Sequence, residues 1–464
     1  LAQDQLVVVC WVDPRCSRRA ARQMRPMQLV QPQAQQAAAG RQLFAAALGV
    51  SKADPEKGPN KSGQGSGSRQ KVVVAGRTFL LDGVLGAGNF GTVYQAVEQT
   101  GDRGGNPRKV AVKEIQCTSD EARIEAEYEA TLMRQLTDEG AGGGRGLQLA
   151  PADSEGGGGP ASQPQQRRMC CPELLGHQTI AAAPSLWTVL IAMECVPGSP
   201  LDDFAKRAGL RFDEGVMVCR ELLDQLVPTL QRISPLCVHR DVNAHNILVH
   251  ALASASSLAP PQEGGVGQPV GAADTPRFTL IDFGCAAPTD DWMKGGWRSA
   301  PVCGDFDYWP PSSWSMFMYG PEYIENDKEA VDEYTKNLDI YSLALTCIQL
   351  LVEACSGRIP ERLQSLEAAW EKYWAGARTY SKQMHKCKRL GGSLEVLRAS
   401  LGRQDVLATT TRNLNSLRAA LALCGEAPGV GAPASALFRT LRQMLDGDIP
   451  GALPCQAAAP AAAP

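Results

Sequence analysis

The chain has 464 residues, 44% hydrophobic and 20% charged, with a formal net charge of −3. That balance suits a globular protein and leaves no electrostatic footprint for nucleic acid. Fifteen cysteines occur without a CxxC pair, which argues against a disulfide scaffold or zinc site and points to reduced thiols.

The chain opens on Leu1, as a fragment or a processed product does. Leu6-Val7-Val8-Val9-Cys10-Trp11-Val12 is apolar but short, like the tail of a longer segment. No run reaches eighteen apolar residues, so no membrane-spanning helix is expected within the chain. Between Pro14 and Ala53 stand six Arg, one Lys and no acid. An organelle transit peptide has such a composition, although this one is poor in Ser, and so does a disordered leader. Residues 51–70 form a Gly/Ser/Lys/Pro linker. Residues 1–70 therefore read as a disordered or targeting segment with its linker.

Order begins near Lys71. Val72–Val74, Phe79–Leu81, Thr92–Val97 and Val110–Ile115 read as strands broken by glycine. The turn Gly86-Ala87-Gly88-Asn89-Phe90-Gly91 lies between two of them, and its glycines let backbone N–H groups approach a phosphate. Thr92–Val97 is strand-like, so the turn closes a hairpin; a dinucleotide fold would need a helix there. Val110-Ala111-Val112-Lys113 puts a cation on a buried strand, where it must be paired. Thr118-Ser119-Asp120-Glu121 reads as a capping box, with Ile124, Tyr128, Leu132 and Leu136 on one face of the helix that follows. That helix supplies Glu129 as the partner of Lys113; Glu125 and Glu127 are less well phased.

Residues 138–168, with nine Gly, and 251–276, rich in Ala, Ser, Pro and Gly, read as disordered insertions. Between them, His239-Arg240-Asp241-Val242-Asn243-Ala244-His245-Asn246 forms a short polar loop before the apolar run Ile247-Leu248-Val249. Its Asp241 can orient a hydroxyl and accept its proton, and Asn246 can hold a metal ion. Residues 338–351 are apolar nearly all round, which predicts a helix buried on every side. An Ala/Pro-rich tail occupies residues 454–464.

Taken in order, these stretches resemble the eukaryotic-type protein-kinase family over about residues 71–352. Met193-Glu194-Cys195-Val196-Pro197-Gly198, Ile281-Asp282-Phe283-Gly284, Gly320-Pro321-Glu322 and Asp339-Ile340-Tyr341-Ser342 join the loop, the glycine turn and Val110–Lys113 in carrying the resemblance. It implies a two-lobed α+β fold: an N-lobe, 71–196, of antiparallel sheet with one helix, and a mainly helical C-lobe, 197–453. It implies ATP and Mg2+ or Mn2+ as cofactors and a protein substrate. ATP would lie under Gly86, Ala87, Gly88, Asn89, Phe90 and Gly91 and be sandwiched by Val93, Ala111 and Leu248. The backbone of Glu194 and Val196 would meet adenine behind the gatekeeper Met193, and Asp202 or Asp203 would reach the ribose. Lys113, fixed by Glu129, would hold the α- and β-phosphates. Asp241 would accept the hydroxyl proton, and Asn246 and Asp282 would hold the metal. Phe283 would pack under the regulatory helix, Gly284 would allow the turn, and Asp339 would brace the loop.

The departures from the family are specific. Asn243 stands where Ser/Thr kinases carry a Lys that steadies the γ-phosphate. Loss of that charge costs about 10²-fold in rate, so Asn243→Lys is expected to raise the rate where the missing cation limits it. His245 reads as a solvated side chain, or, if protonated, as a partial substitute. The retained set Lys113, Glu129, Asp241, Asn246 and Asp282 favours an active Ser/Thr kinase over a nucleotide-binding pseudokinase scaffold. Arg240 implies pairing with a phosphate on the segment 282–322, whose candidates are Thr289, Ser299, Ser312, Ser313 and Ser315. Ser315, seven residues before Glu322, would touch the catalytic loop. Trp292, Trp297, Trp309 and Trp314 are expected to pack that segment or to form a partner surface. Cys285 reads as a buried, inert thiol. From 353 to 453 the resemblance fades, and the pattern Leu437 to Pro450 is not followed by the Arg that pairs with the segment-closing Glu.

Ile281–Ala287, Leu338–Ser342 and Lys382-Gln383-Met384-His385-Lys386-Cys387 also resemble, loosely, the chloroplast thylakoid state-transition kinases, which would make antenna proteins the substrates. Cys10 and Cys16 do not have the spacing of the paired-Cys motif of those kinases, and their membrane span is missing. A cytoplasmic or nuclear location is expected, or a plastid if the Arg-rich segment is a targeting sequence. Oligomeric state is open.

Overall fold

The computed structural model of the chain describes residues 70–88, 90–99, 107–141, 169–250 and 275–448. The N-terminal leader, most of both expected insertions and the Ala/Pro tail lie outside these residues. The described residues form an α+β protein in two units, divided between Val196 and Pro197.

The first unit is a six-stranded sheet, β1 (Lys71–Val74), β2 (Arg77–Gly88), β3 (Gly91–Glu98), β4 (Lys109–Cys117), β5 (Leu174–Ala183) and β6 (Leu186–Glu194), in the order β1-β2-β3-β4-β6-β5. Every pairing is antiparallel. Alternation builds its two faces. Val72, Val74, Phe79, Leu81, Ala96, Val110, Val112, Leu190 and Ala192 form one core cluster. Val189 and Ile191 alternate with the last two and are also fully buried.

Helix α1 (Asp120–Ala141) packs on β4, β5 and β6. Its cap is Ser119, whose Oγ accepts from Ala122 N at 3.2 Å. The expected box, capped by Thr118, starts one residue too early. The expected stripe is corrected as well, because Ile124 is 57% exposed. The buried face is Ala126, Glu129, Ala130, Leu132, Met133 and Leu136. Small alanines there allow the close approach to the sheet that a longer side chain would prevent.

Among the described residues, the second unit holds short paired strands and ten α-helices. Helices α2 (Leu201–Ala208) and α3 (Phe212–Ile233) precede β8 (Cys237–Val238), the loop 239–246, β9 (Ile247–His250) and β10 (Arg277–Leu280). The little strand β7 (Ser199–Pro200) pairs with β9, and β11 (Ala287–Pro288) pairs with β8. Then come α4 (Thr289–Met293), α5 (Pro311–Tyr319), α6 (Lys328–Thr335), α7 (Leu338–Ala354), α8 (Gln364–Arg389), α9 (Leu394–Gly402), α10 (Val406–Glu426) and α11 (Ala432–Leu445). In α7 every residue is buried except Asp339 and Glu353, as its unbroken apolar pattern requires. The region 353–448, where the resemblance fades, is helical.

The four tryptophans of the 282–322 segment are all buried, so they pack the unit. Trp292 and Trp297 meet Tyr334 with ring centroids 5.5 and 6.1 Å apart. Trp309 and Trp314 join Phe306, Phe317, Tyr380 and Met384 in a second cluster. Among the described residues no helix is long and apolar enough to cross a membrane.

Candidate active site

In the first unit, strand register gathers the expected residues. Val93 pairs directly with Lys113, Ala111 pairs with Met193, and Lys113 pairs with Ile191. Opposed residues in an antiparallel pair share a face, as do residues two apart on one strand. Val93, Ala111, Lys113 and Met193 therefore lie on one face, opposite the Val110/Val112 core. On that face Lys113 Nζ donates to both carboxylate oxygens of Glu129, at 2.7 and 2.8 Å, and both side chains are 4% exposed. Burying either charge alone would be costly, so the pair holds α1 and β4 together.

The glycine turn is the tip of the β2–β3 hairpin, where Gly86 faces Val93, Ala87 faces Thr92 and Gly88 faces Gly91. Gly91 has φ +115°, and a Cβ there would stand 2.2 Å from Glu114 O. Lys113 Nζ lies 5.8 Å from the centroid of the Phe90 ring. Asn89 lies outside the described residues. Glu194 ends β6, its N–H donating to Glu173 O at 2.8 Å. Val196 is half-buried two residues on.

In the second unit the loop is braced from α7. Asp339 Oδ2 and Oδ1 accept the backbone N–H groups of His239 and Arg240, each at 2.7 Å. Arg240 has φ +64° and Asp282 has φ +62°, a region that non-glycine residues enter only when their surroundings hold them there. Asp241 Oδ1 accepts from Asn243 Nδ2 at 2.7 Å and from Asp305 N at 2.9 Å. Its Oδ2 accepts from Asn246 Nδ2 at 2.8 Å. Burial pushes the Asp241 carboxyl well above its ordinary range, with Asp282 and Cys303 adding to the effect and these donors opposing it. The β9–β10 pairing brings Asp282 to the same place, for Ile281 N donates to Asn246 O at 2.9 Å. Leu248 is central in β9, opposite Thr279 and Pro200. Phe283 is buried, its ring centroid 5.0 Å from that of His239. Gly284 N donates to Asp282 Oδ1 at 3.2 Å.

Asn243 is buried and built into the loop. Its Nδ2 serves Asp241, and its Oδ1 accepts the N–H groups of His245 and Asn246 at 2.8 and 3.0 Å. His245 is solvent-exposed, as a solvated loop side chain is, but its Nδ1 also lies 3.2 Å from Oδ1 of the buried Asp202. Burial disfavours the imidazolium, yet Asp202 raises its pKa above the ordinary value. Asp202 Oδ2 accepts from Lys206 Nζ at 2.8 Å, while its buried Oδ1 has the charge of His245 beside it but no hydrogen-bond partner among the described residues.

The 282–322 segment differs from expectation in three places. Ser315 does not touch the loop; its Oγ donates to Pro311 O at 3.0 Å inside α5. Ser312, Ser313 and Ser315 are all buried. Asp305, unmarked in the sequence, contacts Asp241 instead, and Gly304 lets it do so: a Cβ there would stand 2.3 Å from Arg240 O. Arg240 donates to Cys285 O at 2.6 Å and Pro301 O at 3.2 Å and lies over Trp292. Cys285 is buried, as expected.

Glu322 is exposed in the short 3-10 turn Pro321–Tyr323. Glu333 is the acid built into this region. Its Oε1 accepts from Ser312 N at 2.9 Å. Burial raises its pKa, opposed by Ser312 and by the charge of Arg418. No sequence signal separates Glu333 from its acidic neighbours, because its partners stand 21 and 85 residues away.

Among the described residues no group of three or more His, Cys, Asp or Glu is arranged to hold a metal. A groove of about 830 Å³ on the second unit is lined by Tyr319, Tyr323, Arg412 and neighbours and includes no expected site residue. No family model matches the chain, and no curated protein is significantly similar to it.

Proposed function

We propose that the chain is a protein kinase, transferring the γ-phosphoryl group of ATP to a Ser or Thr hydroxyl of a protein. The observation that carries this reading is the bidentate Lys113–Glu129 pair on the face shared by Val93, Ala111 and Met193. A buried ion pair is a poor means of stabilisation, because desolvation offsets its attraction. A lysine so held suits a fixed phosphate ligand.

In this reading Asp241 orients the acceptor hydroxyl and takes its proton. Burial keeps that carboxyl basic, and the Asn243 and Asp305 donors fix its rotamer. Asn246 and Asp282 suit Mg2+: they offer hard oxygens, and a site with two protein ligands leaves room for phosphate and water. Asn246 Nδ2 is committed to Asp241, so its amide oxygen is the atom left for the metal. Bound there, Mg2+ would neutralise phosphate charge. The backbone of Glu194 and Val196 would receive adenine.

A second reading is a nucleotide-binding scaffold without turnover. It is favoured by Asn243, which contributes no charge and whose side chain is directed into the loop. Phosphate transfer from labelled Mg-ATP by the wild type, lost in Asp282→Asn, supports the enzyme. ATP binding with no transfer under any condition supports the scaffold.

A further inference from the structure

The loop residues Ala244 and His245 belong to a polar circuit that the roles above leave unused. Ala244 N faces Tyr308 Oη at 3.5 Å, and Tyr308 Oη donates onward to Gln349 Oε1. Gln349 Nε2 donates to Glu353 Oε1 at 3.0 Å. Glu353 lies in the field of Lys206, whose Nζ donates to Asp202 Oδ2 at 2.8 Å. Asp202 Oδ1 returns to the loop, 3.2 Å from His245 Nδ1. The first turn of α2 adds a direct hold on the loop, the N–H groups of Leu201 and Asp202 pointing at Ala244 O at 3.0 and 3.4 Å.

Three members, Tyr308, Gln349 and Asp202, are 3%, 4% and 5% exposed. Polar groups buried so deeply add little stability over apolar ones of the same shape, but they admit only one arrangement of their neighbours. Here the neighbours are the peptides on either side of Ala244, two residues short of Asn246 and three beyond Asp241. The three sources of the circuit are a 3-10 turn of the 282–322 segment, the central helix α7 and helix α2.

We infer that this circuit is the positioning device of the catalytic loop, with Asp202 and Tyr308 as its two anchors. It holds Ala244–His245 so that Asp241 and Asn246 keep their mutual placement. The inference rests on the kinase reading. None of its members is asked to touch a reacting atom; each acts through Asp241 and Asn246.

The test uses the full chain, Mg-ATP and dephosphorylated casein as acceptor. Tyr308→Phe and His245→Gln should each lower kcat about 10-fold, with KM for ATP held within about twofold, since a small misplacement of reacting groups is felt in the chemical step. Because both break one circuit, the double variant should fall no further than about threefold below the worse single variant. Asp202→Asn should match His245→Gln, and Asp202→Glu should recover part of the rate. Independent multiplication of the two losses would overturn the inference, as would a rise in KM for ATP together with a lower thermal midpoint. Wild-type transfer matched by every variant would remove the circuit alone. A wild type that transfers no phosphate would remove the kinase reading and the circuit's role with it.

Discussion

Asn243 illustrates why a residue cannot be judged by the charge it lacks. Read from the loop alone, Asn243→Lys restores a missing cation and raises the rate. In the structure its amide makes bonds to Asp241 and receives two loop N–H groups. Lysine has no acceptor to offer those N–H groups. Asn243→Lys should therefore destabilise the second unit by about 2–4 kcal/mol, the scale of buried groups left unsatisfied, and lower any transfer rate. Urea unfolding and a transfer assay check both. Lys113 sets a sharper contrast. Lys113→Met strands Glu129 as a buried charge and should cost about 3–5 kcal/mol. Adding Glu129→Leu should recover most of that stability while leaving nucleotide binding abolished. Recovery of binding along with stability would show that the pair is structural only.

At the scale of elements, the turn Phe306–Tyr308 carries more of the local chemistry than its length suggests. Asp305 caps it, accepting from Asp307 N at 3.0 Å, and Asp307 lies buried within it. Burial raises the Asp307 pKa from an ordinary 3.8 to about 6, with Arg378, Ser381, His245 and Lys382 pulling the other way without prevailing. The folded protein thus holds this proton more tightly than the unfolded chain. Its contribution to stability is full below about pH 4 and is lost as pH rises through about 6. Asp307→Asn should abolish that slope. It should be more stable than the wild type by about 1–3 kcal/mol near neutral pH and equal to it near pH 4, as chemical denaturation at each pH would show. An identical slope in wild type and variant would mean that Asp307 titrates normally.

At the scale of the whole molecule, a ligand that engages only the folded chain must stabilise it. Mg-ATP at about 100 times its Kd should raise the unfolding free energy by about 2.7 kcal/mol, and Asp282→Asn should shrink that gain wherever the metal contributes to binding. How much of this could be seen in the sequence depends on the range of the interaction. Alternation in Val72–Val74 and Val110–Val112 announces the sheet, and the unbroken apolar run in α7 announces a buried helix. The Lys113–Glu129 pairing is readable because a buried strand lysine demands an acid and helical phase selects one. Tyr308, Gln349 and Glu333 are not readable. Their partners lie tens of residues away, and a polar residue carries no period that reports what it will touch. Ile124 misleads for the opposite reason: it matches the helical period but falls where α1 faces solvent.

The grip on Arg240 has a consequence for when such a protein would work. Its guanidinium is engaged by the carbonyls of Cys285 and Pro301 and by the face of Trp292; the serines of α5 are buried, and Ser299 is the exposed serine among the candidates. The segment is thus ordered without an added phosphate. On the kinase reading, phosphatase treatment and Ser299→Ala should each leave the transfer rate unchanged; a lower rate in either would show that the segment needs an added phosphate.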